Sequence, residues 1–138
     1  MRYLYSKHII MDISKYSTGI QHVGVPTNDI EASVKFYESL GFKLVHSVNN
    51  NGEEVRFLQM GNLMIETYQN FQAALVNGAV DHIALDVKNI EALYEEVKAA
   101  GYKLLDSHIN DLPFWQNGIR YFIIEGPNHE KVEFCEIL

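Results

Sequence analysis

Short apolar runs alternate with amphipathic segments along the chain, and the same order of segments occurs twice. Residues 20–26 and 80–87 are rich in Val, Ile and Leu and predict strands. The segments that follow place apolar residues at positions i, i+4 and i+7, which predicts one apolar stripe on each of two helices. These stripes are Ile30, Val34 and Tyr37 in the first helix, and Ile90, Tyr94 and Val97 in the second.

Polar residues and glycines mark the ends of both predicted helices. Asp29 and Asn89 are predicted N-caps, because their side chains can accept hydrogen bonds from the free amides of the first helical turn. Gly41 and Gly101 are predicted to end the helices, because glycine readily adopts the positive φ that the C′ position requires.

Each of these glycines is followed by residues that predict three further strands. The predicted strands are 42–48, 54–60 and 63–69 in the first half, and 102–108, 119–125 and 131–137 in the second. Turn residues separate them, as at Asn-Asn-Asn-Gly 49–52 and Gly-Pro-Asn 126–128. Residues 70–78 are predicted to be a linker, with one helical turn around 71–76.

An internal repeat explains this duplicated pattern. Residues 20–45 align without gaps on residues 80–105, so that His22 matches His82 and Gly41 matches Gly101. The sequence therefore predicts an α+β protein made of two βαβββ modules in tandem, residues 19–70 and 79–138. Together they form a single predicted domain, 19–138, preceded by an N-terminal appendage, 1–18.

Composition narrows the possible partners. Among the 138 residues, 18 acidic against 11 basic residues give a net charge of −7, which disfavours binding to nucleic acid or to an anionic membrane surface. We find no run of the roughly 20 apolar residues that a membrane helix needs. The single cysteine, Cys135, cannot form an intramolecular disulfide, which is typical of a protein from the reducing cytoplasm.

Four ionisable residues lie in matching predicted strands of the two modules. His22 and His82 lie in the first strands, and Glu66 and Glu133 lie among apolar residues in the last strands. A single strand histidine is most often structural, and a single edge-strand glutamate usually faces solvent. As a repeated set, however, two imidazoles and two carboxylates suit a divalent ion such as Ni²⁺, Zn²⁺, Co²⁺ or Fe²⁺.

The duplicated module with this order of His, Glu, His and Glu resembles the vicinal oxygen chelate superfamily. The segments IQHVGV, LMIETYQN, VDHIALDV and KVEFCEIL resemble the four ligand segments of glyoxalase I, the lactoylglutathione lyase, and the resemblance covers about residues 19–138. It implies that the modules pair into a cupped mixed β-sheet with the helices outside, and that the protein is a homodimer. It also implies one divalent metal per site, Ni²⁺ favoured and Zn²⁺ or Co²⁺ possible, held by His22, Glu66, His82 and Glu133.

The same resemblance implies a metal-dependent lyase or isomerase of glyoxalase I type. Such an enzyme converts the hemithioacetal of a 2-oxoaldehyde and a thiol into a 2-hydroxyacyl thioester through a metal-bound enediolate. Glu133 matches the family's catalytic base, and Glu66 is the symmetry-related second choice. Asn70 matches an asparagine of the family's glutathione site, but Pro26 stands where an arginine is common. We therefore expect another small thiol, or a substrate without a thiol.

The segment HINDLPFWQNGIR, residues 108–120, has two interpretations. It is either a hydrophobic loop packed on the sheet or on a neighbouring subunit, or a wall of the substrate pocket. In the second case Trp115 contacts substrate and Arg120 faces an anionic group.

Two other functions fit the same resemblance. One is an isomerase like methylmalonyl-CoA epimerase, and the other is a non-catalytic binding protein of the bleomycin-resistance type, although such proteins generally lack the metal ligands. The sequence also leaves open whether the four candidate ligands meet within one chain or across two subunits.

Overall fold

A computed structural model describes residues 16–18, 20–78 and 80–138; most of the predicted appendage, 1–18, lies outside these ranges. The described residues form two helices and nine strands. In chain order these are β1 (Val23–Thr27), α1 (Ile30–Ser39), β2 (Lys43–Asn50), β3 (Glu53–Met60), β4 (Leu63–Gln69), β5 (His82–Asp86), α2 (Ile90–Ala99), β6 (Lys103–Leu104), β7 (Asn110–Leu112), β8 (Ile119–Glu125) and β9 (Lys131–Ile137). Neither helix is long and apolar enough to cross a membrane.

The first module is a four-stranded sheet covered on one face by α1. Its strand order is β1-β4-β3-β2, with β1 parallel to β4 and the other neighbours antiparallel. Tyr37 of α1 packs on Leu58 and Ile65, which are fully buried. Because side chains alternate along a strand, Phe57 and Glu66 point to the other side of the sheet. We call the side away from the helix the open face.

The second module repeats this arrangement. Its strand order is β5-β9-β8-β6, with β5 parallel to β9, and β7 adds a further pairing to β8. The apolar stripe of α2 packs on Phe122, Ile124 and Phe134 and closes a second core. Glu133 lies between the core residues Val132 and Phe134, so its side chain points to the open face of this sheet.

Side chains, and not strand pairing, join the two modules. Among the described residues, no strand of one module is hydrogen-bonded to a strand of the other. Instead, Tyr102 Oη donates to Ser39 Oγ at 2.7 Å. Asn128, in the turn between β8 and β9, donates to Ser33 Oγ at 2.8 Å and accepts from Thr27 Oγ1 at 2.9 Å.

The structure confirms the α+β fold of two βαβββ modules with helices on the outside. Asp29 caps α1 by accepting from the backbone N–H of Ala32 at 3.1 Å. Gly41 and Gly101 follow the helices with φ of 102° and 83°, as a C′ glycine should. Strands β4 and β9 have the predicted bounds, 63–69 and 131–137.

Three local predictions were wrong. Asn89 does not cap α2 with its side chain; it adopts a left-handed conformation with φ of 52°, and its backbone N–H donates to Glu136. No helical turn forms at 71–76, where Phe71 and Leu75 have positive φ. The predicted strand 102–108 shrinks to the two residues of β6, because the Asp106 carboxylate replaces a backbone acceptor for the N–H of Ile123.

Candidate metal centre

In the first module, a histidine and a glutamate meet beside the parallel pair of strands. His22 immediately precedes β1, and Glu66 lies in the middle of β4 on the open face. Gly24 is the residue opposite Glu66 in the β1–β4 register, so no side chain beyond hydrogen stands between the histidine and the carboxylate. His22 Nε2 lies 2.7 Å from Glu66 Oε2.

The second module forms the equivalent pair. His82 begins β5, and its Nε2 lies 3.0 Å from Oε2 of Glu133 in β9. The Glu133 side chain is the more enclosed of the two carboxylates, 14% exposed against 24% for Glu66. Burial raises the pKa of Glu133 and the charge of Asp106 raises it further, whereas His82 lowers it.

The structure thus brings the four predicted ligands together as two pairs. Each pair holds one imidazole nitrogen and one carboxylate oxygen close enough together for a single divalent ion to bind both. Within the part of one chain that the structure describes, no group of three or more His, Cys, Asp or Glu side chains converges in a way that could hold a metal ion. Each pair is therefore half of the predicted donor set, which we call a half-site.

The second ring nitrogen of each histidine also has a partner, supplied by the preceding residue. His82 Nδ1 lies 2.9 Å from Oδ2 of Asp81, and His22 Nδ1 contacts Oε1 of Gln21. We did not select Asp81 or Gln21 from the sequence. The internal repeat could have indicated both residues, because positions 21 and 81 are equivalent and each directly precedes one of the matched histidines.

An aromatic ring extends the first half-site across the open face. Phe57 lies opposite Glu66 in the β3–β4 register, and its ring packs edge-on against His22 with centroids 6.0 Å apart. His46 lies within β2, and its ring centroid is 5.8 Å from that of Phe57.

A cleft of about 420 Å³ lies between the modules next to the second half-site. Its walls are the backbone of β1, the linker at 73–78, the start of β5 and the turn between β8 and β9. His82 lines this cleft, together with Asp81 and Lys131, so a small molecule in the cleft would lie beside one of the candidate ligands.

The three predicted substrate-binding residues lie in different places. Asn70 directly follows β4, and its Oδ1 accepts from the backbone N–H of Gln72 at 2.9 Å, which leaves its amide nitrogen for other contacts. Trp115 is 68% exposed in the loop between β7 and β8. Arg120 does not face a pocket for an anion: it shares the helix side of β8 with Phe122 and is paired with carboxylates at 2.7 and 3.2 Å, those of Glu91 and Asp111.

Comparisons with known proteins identify the family of this chain. The sequence model of the Glyoxalase/Bleomycin resistance protein/Dioxygenase superfamily matches residues 19–134. YwbC of Bacillus subtilis (strain 168), an uncharacterized protein, is 37% identical over 124 residues, which cover 85% of this chain and 96% of YwbC.

Solved structures share the fold at low sequence identity. The glyoxalase family protein from Enterococcus faecalis superposes with a TM-score of 0.72 and 19% identity, covering 88% of this chain and 99% of its own. Lactoylglutathione lyase from Agrobacterium tumefaciens superposes with a TM-score of 0.63 and 19% identity, covering 87% and 94%. With the duplicated module, the paired half-sites and the match over residues 19–134, the chain belongs to the glyoxalase/bleomycin resistance/dioxygenase superfamily.

Proposed function

We propose that this protein is a metal-dependent lyase or isomerase of glyoxalase I type. In this reaction the hemithioacetal of a 2-oxoaldehyde and a thiol becomes a 2-hydroxyacyl thioester. The observation that carries the proposal is the presence of one His–Glu half-site at the equivalent position of each module, with nitrogen–oxygen distances of 2.7 and 3.0 Å.

The complete centre forms in a homodimer. The two half-sites of one chain belong to separate sheets, and each lies on an open face that its own helix does not cover. If the half-sites of two copies face each other, His22 and Glu66 of one chain meet His82 and Glu133 of the other. Two nitrogen and two oxygen donors suit Ni²⁺, which we favour, and also Zn²⁺ or Co²⁺.

A divalent ion bound there supplies Lewis-acid polarisation of the substrate's oxygen atoms. The conversion moves two protons: the proton on C1 passes to C2, and the hydroxyl proton passes from the C1 oxygen to the C2 oxygen. We assign the transfer between the two carbons to a carboxylate of this chain. Glu133 removes the proton from C1 of the hemithioacetal and returns it to C2, and its 14% exposure limits exchange of that proton with bulk water. Glu66 occupies the symmetry-related position and is the second choice for this role.

The site favours a substrate other than the glutathione adduct. Pro26 in β1 provides no cation for a glutathione carboxylate, and the Arg120 guanidinium is already paired with two carboxylates. The amide nitrogen of Asn70 is the group that fits a thiol-substrate contact at the end of β4.

Metal content tests the centre, and mixed variants test whether two chains share it. His22→Ala/Glu66→Ala removes one half-site and His82→Ala/Glu133→Ala the other, so each variant alone should bind no Ni²⁺. If chains of the two variants assort at random into twofold dimers, half of the dimers are mixed and one of their two sites is intact. The mixture should then regain about a quarter of the wild-type metal per chain.

A matched variant, His108→Ala/Glu95→Ala, removes one histidine and one glutamate that belong to neither half-site and should keep the wild-type metal content. Failure of the mixture to regain metal would contradict the shared site. Absence of bound Ni²⁺, Zn²⁺ and Co²⁺ from the wild type would contradict the metal centre itself.

Turnover tests the reaction. The metal-loaded wild type should form thioester from methylglyoxal and small thiols, followed by the ultraviolet absorbance of the thioester, with glutathione slower than at least one other thiol. Glu133→Gln removes the base but keeps one oxygen donor, so it should lose most of the turnover per bound metal ion. Epimerisation of an acyl-CoA without thioester formation would favour the epimerase-like alternative, and tight binding of bleomycin without turnover would favour a binding protein.

A further inference from the structure

Asp81 contacts the ring nitrogen of His82 that does not face Glu133. Asp81 Oδ2 lies 2.9 Å from His82 Nδ1, while His82 Nε2 faces Glu133. An imidazole that binds an ion through Nε2 keeps its remaining proton on Nδ1. Asp81 is placed to accept that proton in a hydrogen bond, which fixes both the tautomer and the orientation of the ring.

Two neighbours hold the Asp81 carboxylate in position. Its other oxygen, Oδ1, accepts from Nδ2 of Asn77 at 2.9 Å and lies 3.3 Å from Nζ of Lys131. Lys131 is the residue opposite His82 in the β5–β9 register, so the strand pairing itself places this cation beside the Asp81–His82 pair. The side chain of Asp81 is 57% exposed in one chain, and these contacts give it a defined direction despite that exposure.

In the first module, an uncharged side chain contacts the corresponding nitrogen of His22. His22 Nδ1 contacts the amide oxygen of Gln21, which accepts the same kind of hydrogen bond but carries no negative charge. A carboxylate acceptor increases the basicity of the distal imidazole nitrogen more than an amide oxygen does, because it stabilises the positive charge that the ring gains on binding a cation.

We propose that Asp81 is a positioning residue that makes His82 the stronger of the two histidine ligands of the metal centre. This inference rests on the proposed function, because it requires that His82 binds an ion. Gln21 is the uncharged counterpart of Asp81, and the two histidine ligands of the centre therefore differ in strength although the module is repeated.

The test uses the full-length protein and Co²⁺ or Ni²⁺ alone, with the dissociation constant measured by competition with a chelator. Asp81→Asn keeps the size and one acceptor oxygen but removes the charge, and should weaken Co²⁺ binding about tenfold. Gln21→Glu places a negative charge beside His22 and should tighten Co²⁺ binding severalfold. Lys131→Met leaves the Asp81 carboxylate in place and should change the affinity less than about threefold, as expected for an exposed ion pair.

Two further readouts separate positioning from a structural role. The visible absorption bands of the bound Co²⁺ should shift in Asp81→Asn, because the ligand field of His82 changes, while the urea midpoint of the metal-free protein should not change. Unchanged affinity and bands in Asp81→Asn, with a wild type that binds the ion, would overturn the inference and leave the metal centre intact. A wild type that binds neither ion would overturn both.

Discussion

Replacing Gly126 with alanine tests how closely the turn between β8 and β9 packs against the partly buried Glu130 side chain. A Cβ atom at Gly126 would lie 2.3 Å from Oε1 and 2.5 Å from Cδ of Glu130, far inside van der Waals contact. The Glu130 side chain must therefore leave its position. It would give up the hydrogen bond that its Oε2 accepts from the N–H of Asn128 at 2.8 Å.

The magnitude follows from that lost bond. A hydrogen bond to a charged acceptor contributes about 1.5–3 kcal/mol. Gly126 does not have a positive φ, so alanine adds no backbone strain there and stiffens the unfolded chain, which gives back about 0.4–1 kcal/mol. We expect Gly126→Ala to lower the free energy of unfolding by about 1–2 kcal/mol, since the lost bond outweighs the gain.

Urea denaturation at fixed protein concentration, arranged as a double-mutant cycle, provides the assay. In a Glu130→Ala background the clash is absent, so Gly126→Ala should be neutral or stabilising, with a coupling energy of about 2 kcal/mol between the two positions. Gly78→Ala is the matched control, because a Cβ there meets no atom within 4 Å. Equal destabilisation by Gly126→Ala in both backgrounds would refute the reasoning.

Three further predictions concern the module junction and the exposed loop. Burial raises the pKa of Glu130 above its ordinary value of 4.5, so stability present below that value is lost as the pH rises through the folded-state pKa. Glu130→Gln should therefore resist urea better than the wild type at pH 7 and lose this advantage near pH 4; an advantage independent of pH would contradict the assignment. Asn128→Ala removes the partner of the buried Thr27 and Ser33 hydroxyls and should cost about 1–3 kcal/mol in the same assay, whereas a loss below about 0.5 kcal/mol would argue against the contact. Trp115→Ala should raise KM without lowering metal content, and a joint loss of metal and fold would mark Trp115 as structural.

Local chemistry made much of the fold predictable. The apolar stripe of α1, the Asp29 cap and Gly41 act within a few residues of one another, so the sequence alone defines that helix. Strand β4 was equally clear, because apolar residues fill it between two turn signals.

The failures arose where distant residues decide the local structure. Strand β6 is short because Asp106 accepts the N–H of Ile123, a contact between residues far apart in the chain. Asn89 adopts a left-handed conformation while its N–H donates to Glu136 of β9, which no pattern around Asn89 could indicate.

The candidate site was also predictable only where it depends on the strand pattern of one module. The repeat indicated that each module supplies one histidine and one glutamate from its strands, and the structure places His22 beside Glu66 and His82 beside Glu133. The identity of the Nδ1 partners was missed, because it depends on side-chain rotamers and not on the alternation of apolar and polar residues.

The absence of strand pairing between the modules within the described residues has a consequence for folding. Each sheet forms from contacts within its own half of the chain, so each module can fold as a separate cooperative unit before the two dock. Amides of β3 and β4, or of β8 and β9, should then stay protected from hydrogen exchange during openings that break only the contacts between the modules, such as Asn128–Ser33 and Tyr102–Ser39. Because such an opening leaves both sheets intact, two copies can exchange a whole module at the cost of the junction hydrogen bonds and of the apolar packing of Phe36, Leu40, Ile83 and Leu85 between the two cores.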